Sequence, residues 1–277
     1  MRWIGLEVDL SPIPPNADHL RLPLERFINL PRLQSLLNYT FNDPYLLLEA
    51  LTHGSYMVPD LPKCYQRLEF LGDAVLDYLI TMHMCNKYPG LSPGLITDLR
   101  SASVNNTCYA LSAIKAGLHI HVLHASNLLH GQIQDSLSNL QEMEASFGWE
   151  SDTSVPKVLG DVIESLAGAI YVDSGFNKVV VYKCIVPLLE PLVTPATLRR
   201  HPSRELHELC QKHCFKYGKL EEPGGAGGRV SVTVEVNAGG EAFTCTSASS
   251  DKKTATKLAS KQILDEMRLR LPKLFAA

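Results

Sequence analysis

Apolar residues recur at helical spacing through most of the first 190 residues of the chain. The longest such pattern covers residues 65–87 and ends where Pro89 and Gly90 interrupt the periodicity. Similar spacing predicts further helices at residues 33–37, 45–52, 94–115, 156–173 and 176–190. The stretch 125–155 is polar and mixed instead, and we expect mobile chain around residues 148–154. The first part of the chain is therefore predicted to be almost entirely helical.

The pattern changes near Pro195. A helix is predicted at residues 202–214, but residues 229–236 then place valine at every second position, which is the period of a half-buried strand. Residues 238–240 predict a hairpin turn, and the chain continues as a returning strand at 241–247 and a basic helix at 251–269. This order of helix, strands and helix indicates a second, smaller α+β module.

These patterns divide the chain into four parts. They are a proline-rich lead-in at 1–30, the helical domain at 31–192, a linker at 193–201 and the α+β module at 202–270. No apolar run reaches the ~20 residues of a membrane-spanning helix, and the N-terminus lacks the basic start and apolar core of a signal peptide. We therefore expect an intracellular protein that does not bind membranes. Its seven cysteines are scattered, which argues against a disulfide framework.

The net charge of −3 conceals an asymmetry between the two modules. From residue 196 onwards there are 14 basic and 9 acidic residues, a net charge of +5, so the first 195 residues carry −8. A basic C-terminal module indicates a polyanionic partner. The acidic first module would repel nucleic acid unless bound cations neutralise part of its charge.

Two pairs of carboxylates fall on predicted helices. Glu69 and Asp73 are four residues apart, and Asp161 and Glu164 are three apart, so each pair shares one helical face. Both pairs lie among apolar residues, where like charges repel strongly unless a cation is bound or protons are retained. Four carboxylates on two facing helices would form an all-oxygen site of the kind that Mg²⁺ prefers. Such a site can hydrolyse a phosphodiester.

The residues alone leave this interpretation open. An acidic pair on a helix is more often a solvated surface, and periodicity does not show whether the two helices meet. The role of Lys157, one turn before Asp161, also has two interpretations. It stabilises a phosphate in the transition state, or it is an ordinary surface or structural lysine.

Four stretches resemble the motifs of the ribonuclease III family, in the family's order. Residues 66–76 (Gln-Arg-Leu-Glu-Phe-Leu-Gly-Asp-Ala-Val-Leu) resemble its signature, and residues 51–56, 99–106 and 160–171 resemble its other motifs. The resemblance implies a mainly α endonuclease domain that cleaves double-stranded RNA. It also implies that the catalytic residues are the Mg²⁺ ligands, with Mn²⁺ as a possible substitute: Glu69, Asp73, Asp161 and Glu164.

Finer features resemble the second nuclease domain of a plant Dicer-like protein. Gln66 stands where bacterial members usually have a glutamate, Cys64-Tyr65 precedes it, and a long insertion occupies about residues 119–155. Residues 1–8 resemble the junction after a first nuclease domain. The resemblance implies the C-terminal part of a longer enzyme of RNA silencing, which acts in the nucleus rather than the cytoplasm. The partner would be the missing first nuclease domain or a second copy of this chain.

Residues 202–270 resemble a double-stranded-RNA-binding domain with α-β-β-β-α order. Glu208 and Gln211 fit its first helix, and Lys252, Lys253 and Lys257 fit the start of its last helix, where backbone N–H groups also favour phosphate. The resemblance implies these five residues as RNA contacts, and a double-stranded-RNA-binding protein as another possible partner.

The module departs from this pattern at two places. Thr256 stands where a third lysine is usual, and the loop at 221–228 begins Glu-Glu-Pro, so we expect weak RNA affinity. Two alternatives to a nuclease also stay open. The chain could be a scaffold that binds RNA or protein without cleavage, or a fragment that is inactive without a partner nuclease domain.

Overall fold

The computed structural model describes residues 2–3, 6–7, 23–56, 64–138, 155–198, 201–222, 230–249 and 251–275. For residues 2–3 and 6–7 it describes only the pairing of the backbone. The chain divides into two compact units, Met1–Leu198 and Arg199–Ala277. The mobile segment expected at 148–154 and most of the proline-rich lead-in lie outside the described residues. None of the described helices combines the length and the apolar composition that crossing a bilayer requires.

The first unit is helical in its described residues, apart from a short antiparallel pair of strands, β1 (Arg2–Trp3) and β2 (Leu6–Glu7). Its helices, in chain order, are α1 (Leu30–Leu37), α2 (Pro44–Leu51), α3 (Gln66–Lys87), α4 (Pro93–Ser103), α5 (Asn106–Lys115), α6 (Asn127–Ser138), α7 (Lys157–Asp173) and α8 (Lys178–Leu189). Short 3₁₀ turns occupy Leu24–Arg26 and Leu118–His121. The helical prediction for this part of the chain is confirmed.

Two details of the helix prediction are wrong. The continuous helix expected at 94–115 is two helices, because the Asn105 side chain caps α5 by accepting from the Cys108 N–H at 3.0 Å. The same side chain donates to the carbonyl oxygens of Ser101 and Ala102, and so closes the end of α4. The mixed stretch at 125–155 contains α6, whose buried side holds Leu129 and Ile133 at a spacing of one turn.

Helix α7 is the centre of the first unit. Most of its residues are buried, including Val162, Ile163 and Leu166, which are fully enclosed by the surrounding helices. It packs most extensively against α3 and α5. Its C-terminal Asp173 anchors the loop before α2, accepting hydrogen bonds from the Tyr39 hydroxyl at 2.7 Å and the Asp43 N–H at 2.7 Å. The C-terminal end of this helix is therefore fixed to the loop before α2.

Two glycines allow α3 and α7 to cross at backbone contact. A Cβ on Gly72 would lie 1.7 Å from the carbonyl oxygen of Glu164, and one on Gly168 would lie 2.2 Å from that of Leu68. No side chain fits at either position without moving the helices apart. This close crossing determines which side chains of α3 face those of α7.

The second unit has the expected α-β-β-β-α order. Helices α9 (Pro202–Lys212) and α10 (Lys252–Arg270) flank an antiparallel sheet of β3 (Lys216–Glu222), β4 (Val230–Ala238) and β5 (Glu241–Ser249). The inward faces of β4 and β5 meet the helices in a core that includes Leu206, Val232, Val234, Val236, Phe243, Ala259, Ile263 and Met267. Alternating valines predicted β4. The polar β3, most of whose described residues are exposed, carries no such alternation, and its position was not predicted.

Candidate active site

Three of the four predicted carboxylates converge where α3 crosses α7. One carboxylate oxygen from each of Glu69, Asp161 and Glu164 lies within 4.8 Å of the other two. Glu69 precedes Gly72 by one turn, and Glu164 supplies the carbonyl that Gly72 touches, so the crossing itself brings these acids together. Asp161 is buried, while the other two are partly exposed. The two acidic helices do meet, which periodicity could not show.

Asp73 lies outside this group of three, one turn beyond Glu69 on α3, and it is exposed. Its negative charge nevertheless reaches the cluster, because it contributes to raising the pKa of Glu164. Although the residue is largely exposed, partial burial of the Asp73 carboxyl raises its pKa, and the charges of Asp77 and Glu69 add to this. Asp77 itself accepts a hydrogen bond from Arg100 at 3.0 Å. Asp73 therefore belongs to the electrostatic surroundings of the cluster.

Lys157 reaches into the carboxylate cluster from the first turn of α7. Its Nζ donates to Glu69 Oε1 at 2.6 Å and to Asp161 Oδ1 at 2.5 Å. Partial burial lowers the pKa of Lys157, but its bonds to the two carboxylates outweigh burial, so the pKa rises overall. The side chain is 69% exposed, which places the ammonium at the mouth of the site rather than beneath it.

Two acids of the cluster have raised pKa values. Burial, followed by the charges of Asp73, Asp161 and Glu69, raises the pKa of Glu164 to about 8. The pKa of Asp161 is also raised, mainly by burial, although hydrogen bonds from Lys157 and Tyr65 oppose the increase. A bound divalent cation would relieve the repulsion between these acids. An all-carboxylate donor set fits Mg²⁺ or Mn²⁺, both of which favour oxygen ligands.

Tyr65 is a site residue that sequence reasoning did not identify. Its hydroxyl donates to Asp161 Oδ2 at 3.0 Å, and its ring is buried. The available signal was a tyrosine directly before the signature motif, because a buried tyrosine hydroxyl usually needs a hydrogen-bond partner. Beside it, His53 pairs with the Ser55 hydroxyl at 2.8 Å, and that hydroxyl accepts from the Ala125 N–H at 3.0 Å.

The predicted RNA contacts lie on both helices of the second unit. Lys252 and Lys253 occupy the first turn of α10, after Asp251, which caps the helix by accepting from the Thr254 N–H at 2.9 Å. Lys252 is already paired, with its Nζ 2.6 Å from Glu221 Oε1. The cation at this helix start is therefore partly neutralised.

The other predicted contacts are less exposed or lie elsewhere on the unit. Lys257 is half-buried, one turn further along α10. On α9, Glu208 pairs with Arg204 at 2.8 Å and Gln211 is exposed. The joint use of the residues on α9 and α10 by one RNA duplex remains a prediction.

Two family models match the chain, the ribonuclease III domain at residues 66–175 and the double-stranded RNA binding motif at residues 202–267. The chain thus carries a ribonuclease III nuclease domain followed by a double-stranded-RNA-binding domain, and it belongs to the ribonuclease III family. Within that family it is homologous to the C-terminal region of plant Dicer homologs. The resemblance stated from the motifs is confirmed.

Individual relatives match nearly the whole chain over a small part of their own length. Endoribonuclease Dicer homolog 2 from Arabidopsis thaliana is 54% identical over 270 residues, which cover 97% of this chain and 19% of that relative. Endoribonuclease Dicer homolog 2a from Oryza sativa subsp. japonica is 45% identical over 269 residues, with 96% and 19% covered. The nuclease domain of ribonuclease III from Campylobacter jejuni is 28% identical with a TM-score of 0.44, covering 60% of this chain and 99% of that one. The chain spans about a fifth of the length of these Dicer homologs.

Proposed function

We propose that this chain is a Mg²⁺-dependent endoribonuclease that cleaves double-stranded RNA, as part of Dicer-like small-RNA processing. The observation that carries the proposal is the convergence of Glu69, Asp161 and Glu164 within 4.8 Å at the crossing of α3 and α7. A site built to bind RNA without cleavage has no need for three clustered acids, in which the negative charges of Glu69 and Asp161 raise the pKa of Glu164. Their mutual repulsion is relieved when a cation binds.

The four carboxylates, Asp73 included, would hold the cation. When bound, Mg²⁺ supplies an activated water and neutralises charge on a phosphodiester. The protein's own contribution is to fix the carboxylates on two helices that cannot shift, because their backbones touch at Gly72 and Gly168. The likeness to plant Dicer homologs supports the same activity. Mn²⁺ would substitute for Mg²⁺, since it accepts similar oxygen ligands.

We assign Lys157 a catalytic role in addition to its ion pairs. Its ammonium lies at the exposed mouth of the cluster, on the side from which a phosphate would approach. There it would stabilise negative charge on the phosphate as the bond breaks. The purely structural alternative predicts that Lys157→Met lowers stability without a specific effect on cleavage by correctly folded protein.

The second unit would hold the duplex. Lys252, Lys253 and Lys257 at the start of α10, with Glu208 and Gln211 on α9, are the proposed contacts. Such domains read the shape of A-form RNA and its 2′-hydroxyls rather than its sequence. A double-stranded-RNA-binding protein is a further possible partner for this unit.

Cleavage of both strands would need a second nuclease domain. One face of α3 presents an exposed stripe of Phe70, Ala74, Tyr78 and Met82, each one turn from the next. Phe70 is 84% exposed, which is unusual for phenylalanine on a folded domain. We propose that this stripe pairs with another nuclease domain, either the first domain of a longer Dicer or a second copy of this chain.

A cleavage assay tests the proposal directly. Long duplex RNA is incubated with Mg²⁺ and either the starting chain, Asp73→Asn or Glu164→Gln, and Asp135→Asn serves as control because this exposed aspartate lies on α6 outside the cluster. We expect both site variants to lose at least ~10²-fold in rate, and the control to keep it. Unchanged cleavage in both site variants would reject the site. Duplex binding without any cleavage by the starting chain would favour the scaffold or fragment alternatives.

We also propose a nuclear location, on the basis of the likeness to plant Dicer homologs. A fluorescent fusion of the chain expressed in plant cells tests this. Fluorescence confined to the cytoplasm would reject it.

A further inference from the structure

Asp161 is the most enclosed acid of the cluster, and both of its oxygens have a partner. Its exposed fraction is 4%. Oδ1 accepts from Lys157 Nζ at 2.5 Å, and Oδ2 accepts from the Tyr65 hydroxyl at 3.0 Å. The lysine side chain is 69% exposed and can move away, whereas Tyr65 is 5% exposed and cannot. The tyrosine therefore holds one oxygen of Asp161 in a fixed place.

The position of Tyr65 is set by the backbone on both sides. Its N–H donates to the carbonyl oxygen of Thr52 at 2.9 Å, which ties it to the end of α2. Its own carbonyl oxygen accepts from the Glu69 N–H at 2.8 Å, so Tyr65 begins the hydrogen-bond ladder of the helix that carries Glu69. The hydroxyl of this one residue thus links the start of α3 to the buried acid of α7.

A carboxylate group can rotate about the bond that joins it to the side chain unless hydrogen-bond donors hold its oxygens. With Oδ2 bonded to Tyr65, Oδ1 is the oxygen that faces Lys157 and, through it, Glu69. Hydrogen-bond partners behind a metal ligand orient it in this way, and their loss typically weakens metal binding by 10- to 100-fold. The hydroxyl, and not the ring, is the group that does this.

We propose that Tyr65 is a positioning residue for the metal centre, which orients Asp161 so that Oδ1 faces the cation. The inference rests on the proposed metal site, and it concerns cation affinity rather than contact with RNA. It predicts that removing a single oxygen atom, in Tyr65→Phe, weakens cation binding although all four carboxylates remain.

The chain offers a matched control at the other end of the same helix. Tyr39 donates its hydroxyl to Asp173 Oδ2 at 2.7 Å, so Tyr39→Phe also removes a tyrosine–aspartate hydrogen bond from α7. Asp173 lies at the last residue of α7, twelve residues after Asp161, and outside the carboxylate cluster. A purely structural role for Tyr65 would make the two variants behave alike.

The experiment is a Mn²⁺ titration of the full chain, followed by the loss of the free-ion signal in electron paramagnetic resonance. It compares the starting chain with Tyr65→Phe, Tyr39→Phe and Glu69→Gln, and thermal unfolding of each variant reports stability separately. We expect Tyr65→Phe to weaken Mn²⁺ binding about tenfold, Glu69→Gln to weaken it at least as much, and Tyr39→Phe to leave it unchanged while lowering the melting temperature.

The outcomes separate this inference from the proposed function. If Glu69→Gln weakens Mn²⁺ binding but Tyr65→Phe does not, the role of Tyr65 is rejected and the metal centre stands. Equal losses of affinity in Tyr65→Phe and Tyr39→Phe would also reject it, because the effect would then be general destabilisation. If Mn²⁺ does not bind, or binds equally well to Glu69→Gln, both the metal centre and the role of Tyr65 are rejected.

Discussion

At the residue scale, the protonation of Glu164 links the stability of the fold to the proposed cation site. The pKa of its carboxyl rises from an ordinary value of 4.5 to about 8, because the site is buried and surrounded by other acids. The folded, cation-free protein therefore binds this proton more tightly than the unfolded chain does. Its contribution to stability is fully present below pH 4.5 and is lost as the pH rises towards about 8.

The raised pKa of Glu164 predicts how cation binding depends on pH. Between the two pKa values a cation must displace the proton of Glu164, so Mg²⁺ affinity is expected to rise with pH by up to about tenfold per unit. Thermal unfolding in a series of Mg²⁺ concentrations, at about pH 6 and about pH 8, measures the effect. Glu164→Gln is expected to abolish the pH dependence, and equal Mg²⁺ affinity of the starting chain at both values would contradict the prediction.

A second residue-scale prediction concerns Glu221. It pairs with Lys252 at 2.6 Å, and Lys219 lies 3.7 Å away, so an RNA phosphate must compete with this carboxylate. Glu221→Gln is expected to tighten duplex binding by about three- to tenfold at low salt, and less at high salt because screening weakens both interactions.

Fluorescence anisotropy with a short RNA duplex measures this affinity. Glu235→Gln is the control, since it removes the same charge from an exposed position on β4. An equal gain in both variants would show that only the net charge matters, and that the pairing with Lys252 has no particular effect.

At the residue scale, the motifs identified the acids but not their supports. Glu69, Asp73, Asp161 and Glu164 were predicted from the four motif positions, and three of them lie together. Tyr65 was not predicted as a site residue, because a buried tyrosine is interpreted as a core residue until its hydrogen-bond partner is known. That partner is 96 residues away in the chain, so periodicity holds no information about it.

At the scale of elements, the crossing of α3 and α7 makes the site. The sequence predicted both helices from their apolar spacing, and it showed Gly72 and Gly168 as helix-interior glycines. It did not show that each glycine faces the backbone of the other helix, because that depends on the crossing geometry. The break between α4 and α5 was missed for a similar reason, since a local asparagine cap competed with a continuous apolar pattern.

The crossing predicts a large effect of a single methyl group. In Gly72→Ala the new Cβ would stand 1.7 Å from the Glu164 carbonyl oxygen, so α3 and α7 must separate. We expect a loss of about 3 kcal/mol in the free energy of unfolding, together with weaker Mn²⁺ binding. Gly131→Ala is the control, because this α6 glycine has no atom within 4 Å of the added Cβ and the change should be neutral or stabilising. A Gly72→Ala protein as stable as the starting chain would contradict this account.

At the scale of the whole molecule, the chain has a cluster of acids and a double-stranded RNA binding motif, but it spans about a fifth of the length of its Dicer relatives. The fold class and the order of the two units were predicted from the sequence. The exposed stripe on α3 was not, because Phe70 and Tyr78 fit an apolar helix equally well whether they face a core or a partner. The exposure of these side chains is known only once the chain is folded, and it is the observation that supports the proposed pairing with another nuclease domain.

The stripe leads to a prediction about assembly and cleavage together. Phe70 is 84% exposed in the single chain. An aromatic side chain that becomes buried at the centre of an interface typically contributes at least about 2 kcal/mol to binding. Phe70→Asp should therefore weaken pairing by about 30-fold or more. Sedimentation over a range of concentrations measures pairing of two copies, and the cleavage rate at each concentration should follow the paired fraction. Leu128→Asp is the control, since this residue is 75% exposed on α6 and carries the same change of charge. If Phe70→Asp leaves both pairing and cleavage unchanged, the stripe is not the pairing surface.

A second experiment applies if the starting chain stays monomeric and inactive. A first nuclease domain from a Dicer homolog is then added, and we expect it to restore cleavage by the starting chain but not by Phe70→Asp.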